Sequence, residues 1–187
     1  MKLGLLGGAF NPPHIGHLIL GEEALGSFGL DKIFFIPTNI SPHKTNGITE
    51  AKHRFNMVNL AIAGNDKFEA LDLEIKRGGI SYTINTVNQL KKDYPHDELY
   101  LIVGSDLSGS FSTWKEFDEL KKITKIIVAQ RENYASETEK DWLKAKITQI
   151  NISSSRIRQT IKEGRSVRYF LNDNIIDYIS KHKIYLD

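Results

Sequence analysis

The sequence predicts an α/β fold in which a parallel sheet is covered by helices on both faces. Apolar runs of strand length alternate along the chain with segments that have helical spacing. At least three of the runs, KLGLLGG, DKIFFIP and ELYLIVG, are apolar at almost every position. Strands that are apolar on both faces are typical of parallel sheets buried between two helical layers.

Five segments are predicted as strands, because each is either apolar throughout or alternates apolar with charged residues. In chain order they are KLGLLGG at 2–8, DKIFFIP at 31–37, FEALDLEIK at 68–76, ELYLIVG at 98–104 and KIIVA at 125–129. In the third, Leu71, Leu73 and Ile75 alternate with charged residues, which favours a half-buried strand at an edge of the sheet. A further strand is expected in ITQINI at 147–152.

Helices are predicted between the strands, where apolar residues recur every three or four positions. In chain order they lie near residues 15–28, 50–63, 82–92 and 137–146, followed by two C-terminal helices that Gly164 separates. Gly29 ends the first helix, and the second has Phe55, Val58 and Ile62 on one face. The predicted architecture is a Rossmann-like, doubly wound parallel sheet with a small helical C-terminal end, forming a single domain over residues 1–187.

Composition narrows the possible functions. The 187 residues include 25 basic and 23 acidic side chains, so the net charge of +2 argues against a general nucleic-acid-binding surface. The lack of cysteine excludes disulfides, thiolate catalysis and thiolate metal sites. No apolar stretch approaches the ~20 residues that a membrane helix needs. The N-terminus is predicted to be a strand and not a signal peptide, so a cytoplasmic protein without membrane contact is expected.

Polar and cationic residues follow the predicted strands where those strands end. Ligands of such sheets bind outside the carboxyl ends of the strands. The segments that meet there are GGAFNPPHIGH at 7–17, PTNISPHK at 37–44, VGSD at 103–106 and INISSSRIR at 150–158. This convergence predicts the functional site.

GGAFNPPHIGH has the features of an anion site. Gly7 and Gly8 allow a ligand to approach the backbone, and the helix that follows directs its N–H groups and positive dipole end at the same edge. His14 and His17 are three residues apart and share one face of that helix. Three alternatives stay open on this stretch alone: an ordinary strand-to-helix turn, a capping histidine, and a zinc pair, which has no obvious third ligand.

SSSRIR offers hydroxyl groups and arginines at the start of another helix. Ser153, Ser154 and Ser155 precede Arg156 and Arg158, whose planar donors fit phosphate oxygens. An ordinary capped helix with solvated arginines is the alternative. Lys44 is either a phosphate ligand or a solvated lysine. Tyr82, Thr83 and Trp114 offer a hydroxyl group and stacking faces for a flat ring, or they are packed core residues.

Taken together, these segments resemble the nucleotidylyltransferase superfamily. GGAFNPPHIGH resembles its signature G-x-F-x-P-x-H-x-G-H, and ISSSRIR resembles its signature I-S-S-T-x-I-R. With PHK, HRFNM, GGISYT, VGSD and Trp114, the chain resembles the bacterial nicotinate-nucleotide adenylyltransferases from residue 3 to residue 185. Asn11 stands where members often carry Asp, and Ser155 stands where Thr is common.

The resemblance implies a reaction and its partners. The expected reaction transfers AMP from ATP to nicotinate mononucleotide and yields nicotinate adenine dinucleotide and pyrophosphate, a step of NAD biosynthesis. The implied cofactor is Mg²⁺ carried by ATP, and the implied partners are these small molecules, with no nucleic acid and no membrane. The implied assembly is a monomer or a homodimer.

The resemblance also implies roles for individual residues. The implied catalytic residues are His14, His17, Lys44 and Arg158. ATP is expected to contact His14, His17 and Arg158 together with Gly8, Ala9, Phe10, Gly104, Asp106, Ser153 and Ser154. The nicotinate mononucleotide is expected to contact Lys44, Tyr82, Thr83, Trp114 and Arg131.

Two other functions are possible for this fold. Phosphopantetheine adenylyltransferases of the same superfamily carry T-x-G-H where this chain reads HIGH, so His14 argues against that substrate. A non-catalytic nucleotide sensor on the same fold would not need to keep His17, Lys44 and Arg158. The resemblance therefore favours the nicotinate enzyme.

Overall fold

The structure is a computed structural model that describes residues 1–42, 48–104, 111–130, 142–148 and 150–186. Its described strands are β1 (Lys2–Gly8), β2 (Lys32–Pro37), β3 (Phe68–Ala70), β4 (Glu98–Gly104), β5 (Lys125–Gln130) and β6 (Leu143–Lys146). All neighbouring strands are parallel, and their spatial order is β3-β2-β1-β4-β5-β6. The sheet winds outward in both directions from β1, which confirms the Rossmann-like, doubly wound topology.

Helices connect the strands and cover both faces of the sheet. In the described ranges they are α1 (Ile15–Phe28), α2 (Ala51–Ile62), α3 (Leu73–Arg77), α4 (Thr83–Asp93), α5 (Phe117–Ile123), α6 (Ser154–Lys162) and α7 (Asp173–Lys181), together with a 3₁₀ turn at Phe111–Thr113. Gly29 ends α1 in the left-handed conformation, with φ at 58°, as the sequence predicts. No helix in the described part of the chain is both long and apolar enough to cross a membrane.

The core has two halves, one on each face of the sheet. Successive strand residues point to opposite faces, so Leu5 and Phe34 pack with α3, α4 and α5, whereas Leu6 and Phe35 pack with α1, α2, α6 and α7. This alternation explains why the central strands are apolar at every position. Gly4 leaves room on the second face, where a Cβ atom would lie 2.5 Å from Ile33 Cδ1.

The predicted strand at 68–76 is wrong beyond its first residues. Only Phe68–Ala70 pairs with β2, at the edge of the sheet, and Leu73–Arg77 forms the short helix α3. Leu73 and Glu74 are both buried, which a strand with one buried face does not allow for adjacent residues. A pattern of six residues spans little more than one helical turn, so its alternation does not distinguish the two structures.

The predicted helix at 137–146 is wrong at its C-terminal end. Leu143–Lys146 forms the parallel edge strand β6, and the other residues of the prediction lie outside the described part of the chain, apart from Trp142. Ala145 is buried while Lys144 and Lys146 are exposed, which is the alternation of an edge strand protected by lysines. The expected strand at 147–152 is also wrong, because its described residues form no strand and β6 leads into α6 instead.

Candidate active site

The two signature segments meet at the carboxyl edge of the sheet. One forms the loop between β1 and α1, and the other precedes and opens α6. The Ser154 hydroxyl donates to the carbonyl oxygen of Pro12 at 2.8 Å, across 142 residues of sequence. Arg158 Nη1 donates to the carbonyl oxygen of Asn11 at 2.8 Å. The structure therefore joins the two signatures through direct hydrogen bonds.

His14 and His17 form one compact unit at the start of α1. The His14 backbone N–H donates to His17 Nδ1 at 3.1 Å, and the ring centroids are 3.8 Å apart. Burial, followed by the neighbouring His14, holds the pKa of His17 well below its ordinary value of 6.5. His17 is therefore neutral at pH 7, and because its Nδ1 accepts a hydrogen bond, its proton resides on Nε2. His17 is a hydrogen-bond donor through Nε2.

The loop between β1 and His14 is held by its own packing. Phe10 has a positive φ of 46° and is buried, with its ring 5.0 Å from the ring of His17 and 6.0 Å from that of Phe35. A Cβ atom on Gly8 would lie 3.3 Å from the Phe10 ring, so glycine allows the ring to fold back beneath the loop. The Asn11–Pro12 peptide bond is cis.

The N-terminus of α1 is less free than the sequence predicts. The Ile15 N–H donates to the Phe170 carbonyl oxygen at 3.0 Å, and the His14 N–H is held by His17. The prediction that these N–H groups are directed at an anion is wrong for these two, because the chain before α7 and the His17 ring already bind them. An anion at this helix terminus must use side chains and other amides.

The residues of the second signature make different contacts. Ser153 is the N-cap of α6, and its hydroxyl oxygen accepts the Arg156 N–H at 3.2 Å, a bond that does not use the hydroxyl proton. Arg158 Nη2 donates to the Ser155 hydroxyl at 3.3 Å. Ser154 and Arg158 go beyond capping, because both also hold the β1–α1 loop.

Asn11 ties three distant segments together. Its side-chain Oδ1 accepts the Tyr185 hydroxyl at 2.7 Å and the Thr49 N–H at 3.3 Å. Its backbone carbonyl accepts Arg158. Burial raises the pKa of Tyr185 to about 12, so this hydroxyl keeps its proton and donates it at neutral pH. The side-chain oxygen of Asn11 is thus an anchor point for the C-terminal segment.

The predicted ring-binding residues lie on the other face of the sheet. Tyr82 is the N-cap of α4, Thr83 is its first residue, and Trp114 follows the 3₁₀ turn. Tyr82 and Trp114 are half-buried and pack against the same apolar cluster. The Trp114 indole N–H is buried and has no hydrogen-bond partner among the residues that the structure describes. Lys115 Nζ lies 5.0 Å from the centroid of the Tyr82 ring.

The segment after β2 is joined to the segment before α4. The Asn39 backbone N–H donates to the Ser81 hydroxyl at 2.9 Å, and Asn39 Nδ2 donates to the Gly79 carbonyl at 2.9 Å. Ile40 and Ile80 form a parallel bridge between the same segments. TNIS and GGIS therefore form one paired unit that leads directly to Tyr82.

The remaining predicted residues divide into two groups. Gly104 is the last residue of β4, at the carboxyl edge of the sheet and next to β5. Lys44, Asp106 and Arg131 lie outside the described residues. In the ranges that the structure describes, no group of three or more His, Asp or Glu side chains could hold a metal ion.

Arg54 is a buried residue of the site that was not predicted. Only 1% of its surface is exposed, and it donates to the carbonyl oxygen of Ala9 at 2.7 Å. The predicted apolar face of α2 is confirmed at Val58 and Ile62, which are buried, and is wrong at Phe55, which is only half-buried. Arg54 is buried in its place, together with Met57 and Ala61. An arginine at i, i+3 and i+7 spacing with buried apolar residues was the available signal.

Comparisons with known proteins show the family to which the chain belongs. The model of the cytidylyltransferase-like family matches residues 5–160. The nicotinate-nucleotide adenylyltransferase of Bacillus subtilis (strain 168) is 37% identical over 185 residues, which cover 98% of each chain. An alignment of this length and identity includes both signatures.

Solved structures of two complexes share the fold. Plasmodium falciparum nicotinic acid mononucleotide adenylyltransferase complexed with NaAD superposes with a TM-score of 0.82 at 21% identity, covering 98% of this chain and 97% of the other. The same enzyme complexed with APC gives a TM-score of 0.79 at 20% identity, covering 98% and 96%. These likenesses support the architecture, and the closer sequence relative supports the family. The chain belongs to the family of nicotinate-nucleotide adenylyltransferases.

Proposed function

We propose that the joined signatures transfer AMP from ATP to nicotinate mononucleotide, giving nicotinate adenine dinucleotide and pyrophosphate in NAD biosynthesis. A phosphate oxygen of the mononucleotide forms a bond to the α-phosphorus of ATP. The bond from that phosphorus to the oxygen bridging to the β-phosphate breaks, and pyrophosphate leaves. The observation that carries this proposal is the direct contact of Ser154 and Arg158 with the loop that precedes His14 and His17.

The reaction does not require a protein base. The attacking phosphate monoester has a second pKa of about 6, so it is largely ionised at neutral pH. What the reaction needs is alignment of two anions and stabilisation of charge on the α-phosphate and on the leaving pyrophosphate. Neutral His17 is suited to stabilising this charge, because its Nε2 carries a proton and can only donate a hydrogen bond.

The ATP side of the site uses backbone and side-chain donors. We assign the phosphates to the backbone of Gly8, Ala9 and Phe10 and to the side chains of His14, His17, Lys44, Ser153, Ser154 and Arg158, and the adenosine side to Gly104 and Asp106. Arg158 uses one N–H on Asn11 and one on Ser155, so its guanidinium keeps further donors for phosphate oxygens. Mg²⁺ enters with ATP as part of the substrate.

The acceptor side of the site uses aromatic and hydroxyl groups. We assign the nicotinate ring to Tyr82, Thr83 and Trp114, with Lys44 and Arg131 contributing positive charge. Trp114 is half-buried, which leaves part of its ring for stacking. Nicotinate mononucleotide differs from the nicotinamide form by one carboxylate against one amide, so a local positive charge favours the nicotinate form.

The decisive experiment supplies Mg-ATP with one acceptor at a time and measures pyrophosphate release. Nicotinate mononucleotide is expected to give turnover, nicotinamide mononucleotide less, and phosphopantetheine none. Release with phosphopantetheine but with neither mononucleotide would contradict the proposal. Binding of ATP by calorimetry without release from any acceptor would instead favour the sensor function.

A further inference from the structure

The geometry points to Arg54 as a positioning residue that fixes two segments relative to each other: the ATP loop, which is residues 9–14 between β1 and α1, and the acceptor segment, which is residues 38–41 together with residues 79–82. This inference rests on the proposed function for its catalytic consequence. The contacts themselves stand independently of the reaction. They join a buried cation to three loops. Of the residues that the sequence predicts to touch substrate, only Ala9 takes part, through its backbone carbonyl.

Each nitrogen of the Arg54 guanidinium donates to a different stretch of backbone. Nη1 reaches the Ala9 carbonyl at 2.7 Å, Nη2 reaches the Asn39 carbonyl at 3.0 Å, and Nε reaches the Thr49 carbonyl at 2.8 Å. The side chain is 1% exposed and is the largest fully buried one in the part of the chain that the structure describes. No described carboxylate forms an ion pair with it, and the buried Glu74 favours its charge only from a longer distance, so the three carbonyl oxygens are its direct partners.

The three carbonyls belong to segments with separate tasks. Ala9 lies in the β1–α1 loop assigned to ATP. Asn39 lies in the segment after β2, whose amide groups hold Gly79 and Ser81 just before the residues assigned to the nicotinate ring. Thr49 precedes α2, and its own N–H donates to Asn11 in the ATP loop. One side chain thereby links the binding segments of both substrates.

A planar fork makes this link rigid. The guanidinium holds its three nitrogens in one plane at fixed spacing, so the three carbonyls cannot move independently while all three bonds persist. The peptide unit is planar and trans, so turning the Ala9 carbonyl toward Arg54 turns the Phe10 N–H to the opposite side. Arg54 therefore fixes the orientation of backbone that is assigned to the phosphates, without touching substrate itself.

A neutral side chain of similar size would fill the same space without burying a charge and without holding the three loops. Burying a cation without a carboxylate partner is unfavourable, and burial lowers the pKa of Arg54, although a guanidinium stays protonated at neutral pH. An apolar side chain could pack at this position in α2 beside Met57 and Val58. The retained charge and its three-way bonding thus indicate alignment of loops and not packing alone.

The first test replaces Arg54 by lysine, which keeps the charge but lacks the fork. Arg54→Lys is expected to lower kcat by about 10-fold or more at saturating ATP and nicotinate mononucleotide, with a smaller change in either KM, because misalignment acts on the reacting geometry. The matched control is Arg77→Lys, an exposed arginine that donates to Thr86 and Gln89 of α4. Its kcat should remain that of the wild type. Wild-type kcat in folded Arg54→Lys would overturn the inference, even if its melting temperature fell.

The second test does not depend on turnover. Hydrogen–deuterium exchange of ligand-free Arg54→Lys should accelerate together in residues 8–12 and in residues 38–41, while the Arg77→Lys control leaves both unchanged. Acceleration confined to one of these segments, or to α2, would overturn the inference. Wild-type protein without turnover would contradict the proposed function alone, because the exchange result still decides whether Arg54 couples the loops.

A third measurement uses only the wild type and remains decisive if Arg54→Lys does not fold. A non-hydrolysable ATP analogue with Mg²⁺, added without the second substrate, should slow exchange in residues 79–82 as well as in residues 8–12. The segment at 79–82 ends at Tyr82, which is assigned to the other substrate, so its protection reports transmission through Arg54 and Asn39. Protection limited to residues 8–12 would overturn the inference.

Discussion

We propose that His17 acts through the position of its proton and not through a positive charge. The low pKa keeps the ring neutral at pH 7, and the hydrogen bond from the His14 backbone places the proton on Nε2. A neutral donor of fixed direction stabilises charge that develops on a phosphate oxygen without having to reorganise. The sequence predicted two histidines on one face, but the tautomer could be assigned only from the contact between them.

Replacing His17 with alanine is expected to lower kcat for pyrophosphate release about 10²–10³-fold, the usual effect of removing one donor to a transition-state oxygen. The fold should persist, because His17 is only half-buried. His96→Ala is the matched control, since His96 is exposed between α4 and β4. Near-normal turnover in His17→Ala would remove this residue from the mechanism.

The same histidine makes folding stability depend on pH. Its pKa is lower in the folded protein than the ~6.5 of an unfolded chain, so below about pH 6.5 protons bind preferentially to the unfolded state. The wild type should therefore lose more unfolding free energy than His17→Gln between about pH 7.5 and about pH 5.5. Urea unfolding at both values measures this difference. Equal losses in the two proteins would be inconsistent with a depressed pKa.

At the scale of elements, α1 carries the tightest junction of the site. Gly16 of the first signature packs against the start of the second signature. A Cβ atom on Gly16 would be 3.1 Å from His14 Nδ1 and 3.1 Å from Ile152 Cγ2. Both distances are shorter than ordinary van der Waals contact. The small residue therefore allows α1 to approach the chain that leads into α6.

The substitution Gly16→Ala is expected to force these neighbours apart and to cost ~1–3 kcal/mol of unfolding free energy. It should lower kcat as well, because it displaces His14. Gly26→Ala in the same helix is the matched control, since its Cβ would meet nothing within 4 Å. That change should raise stability by ~0.5–1 kcal/mol through helix propensity. Urea unfolding would refute the argument if both variants changed in the same direction.

The elements also show what the sequence could and could not predict. Long apolar runs predicted β1, β2, β4 and β5, because strands that are buried on both faces are apolar at nearly every position. The short segments failed: Leu73–Arg77 is helical and Leu143–Lys146 is a strand, and each is too short for periodicity to decide. The two signatures were predictable by residue type, whereas Arg54 was missed, because an arginine usually indicates an exposed face and only its spacing from Met57 and Ala61 indicated otherwise.

At the scale of the whole molecule, the C-terminal segment contacts the first loop of the chain. The Tyr185 hydroxyl donates a hydrogen bond to Asn11 Oδ1, which is 174 residues away in the sequence. The Phe170 carbonyl oxygen accepts the Ile15 N–H, the first of α1. Ile175 and Ile179 of α7 are buried in the core half that also contains α1 and α2. Residues outside both signatures thus hold the loop between β1 and α1 in place.

Tyr185→Phe is expected to reduce the unfolding free energy by ~0.5–1.5 kcal/mol, because it removes one hydrogen bond to a buried amide oxygen that keeps the Thr49 N–H. Tyr169→Phe is the matched control, since Tyr169 is 86% exposed. Its stability should not change. Urea unfolding of the two variants tests the pair, and an equal effect would mean that the Asn11 contact contributes nothing.

The contact between Asn11 and Tyr185 has a consequence for the order of folding. Residues 11 and 12 in the loop between β1 and α1 bond to Ser154, Arg158 and Tyr185, which lie 142 to 174 residues away along the sequence. Contacts between residues so far apart can form only after the intervening chain has brought them together. This loop is therefore expected to reach its native structure late in folding, after the central strands have paired.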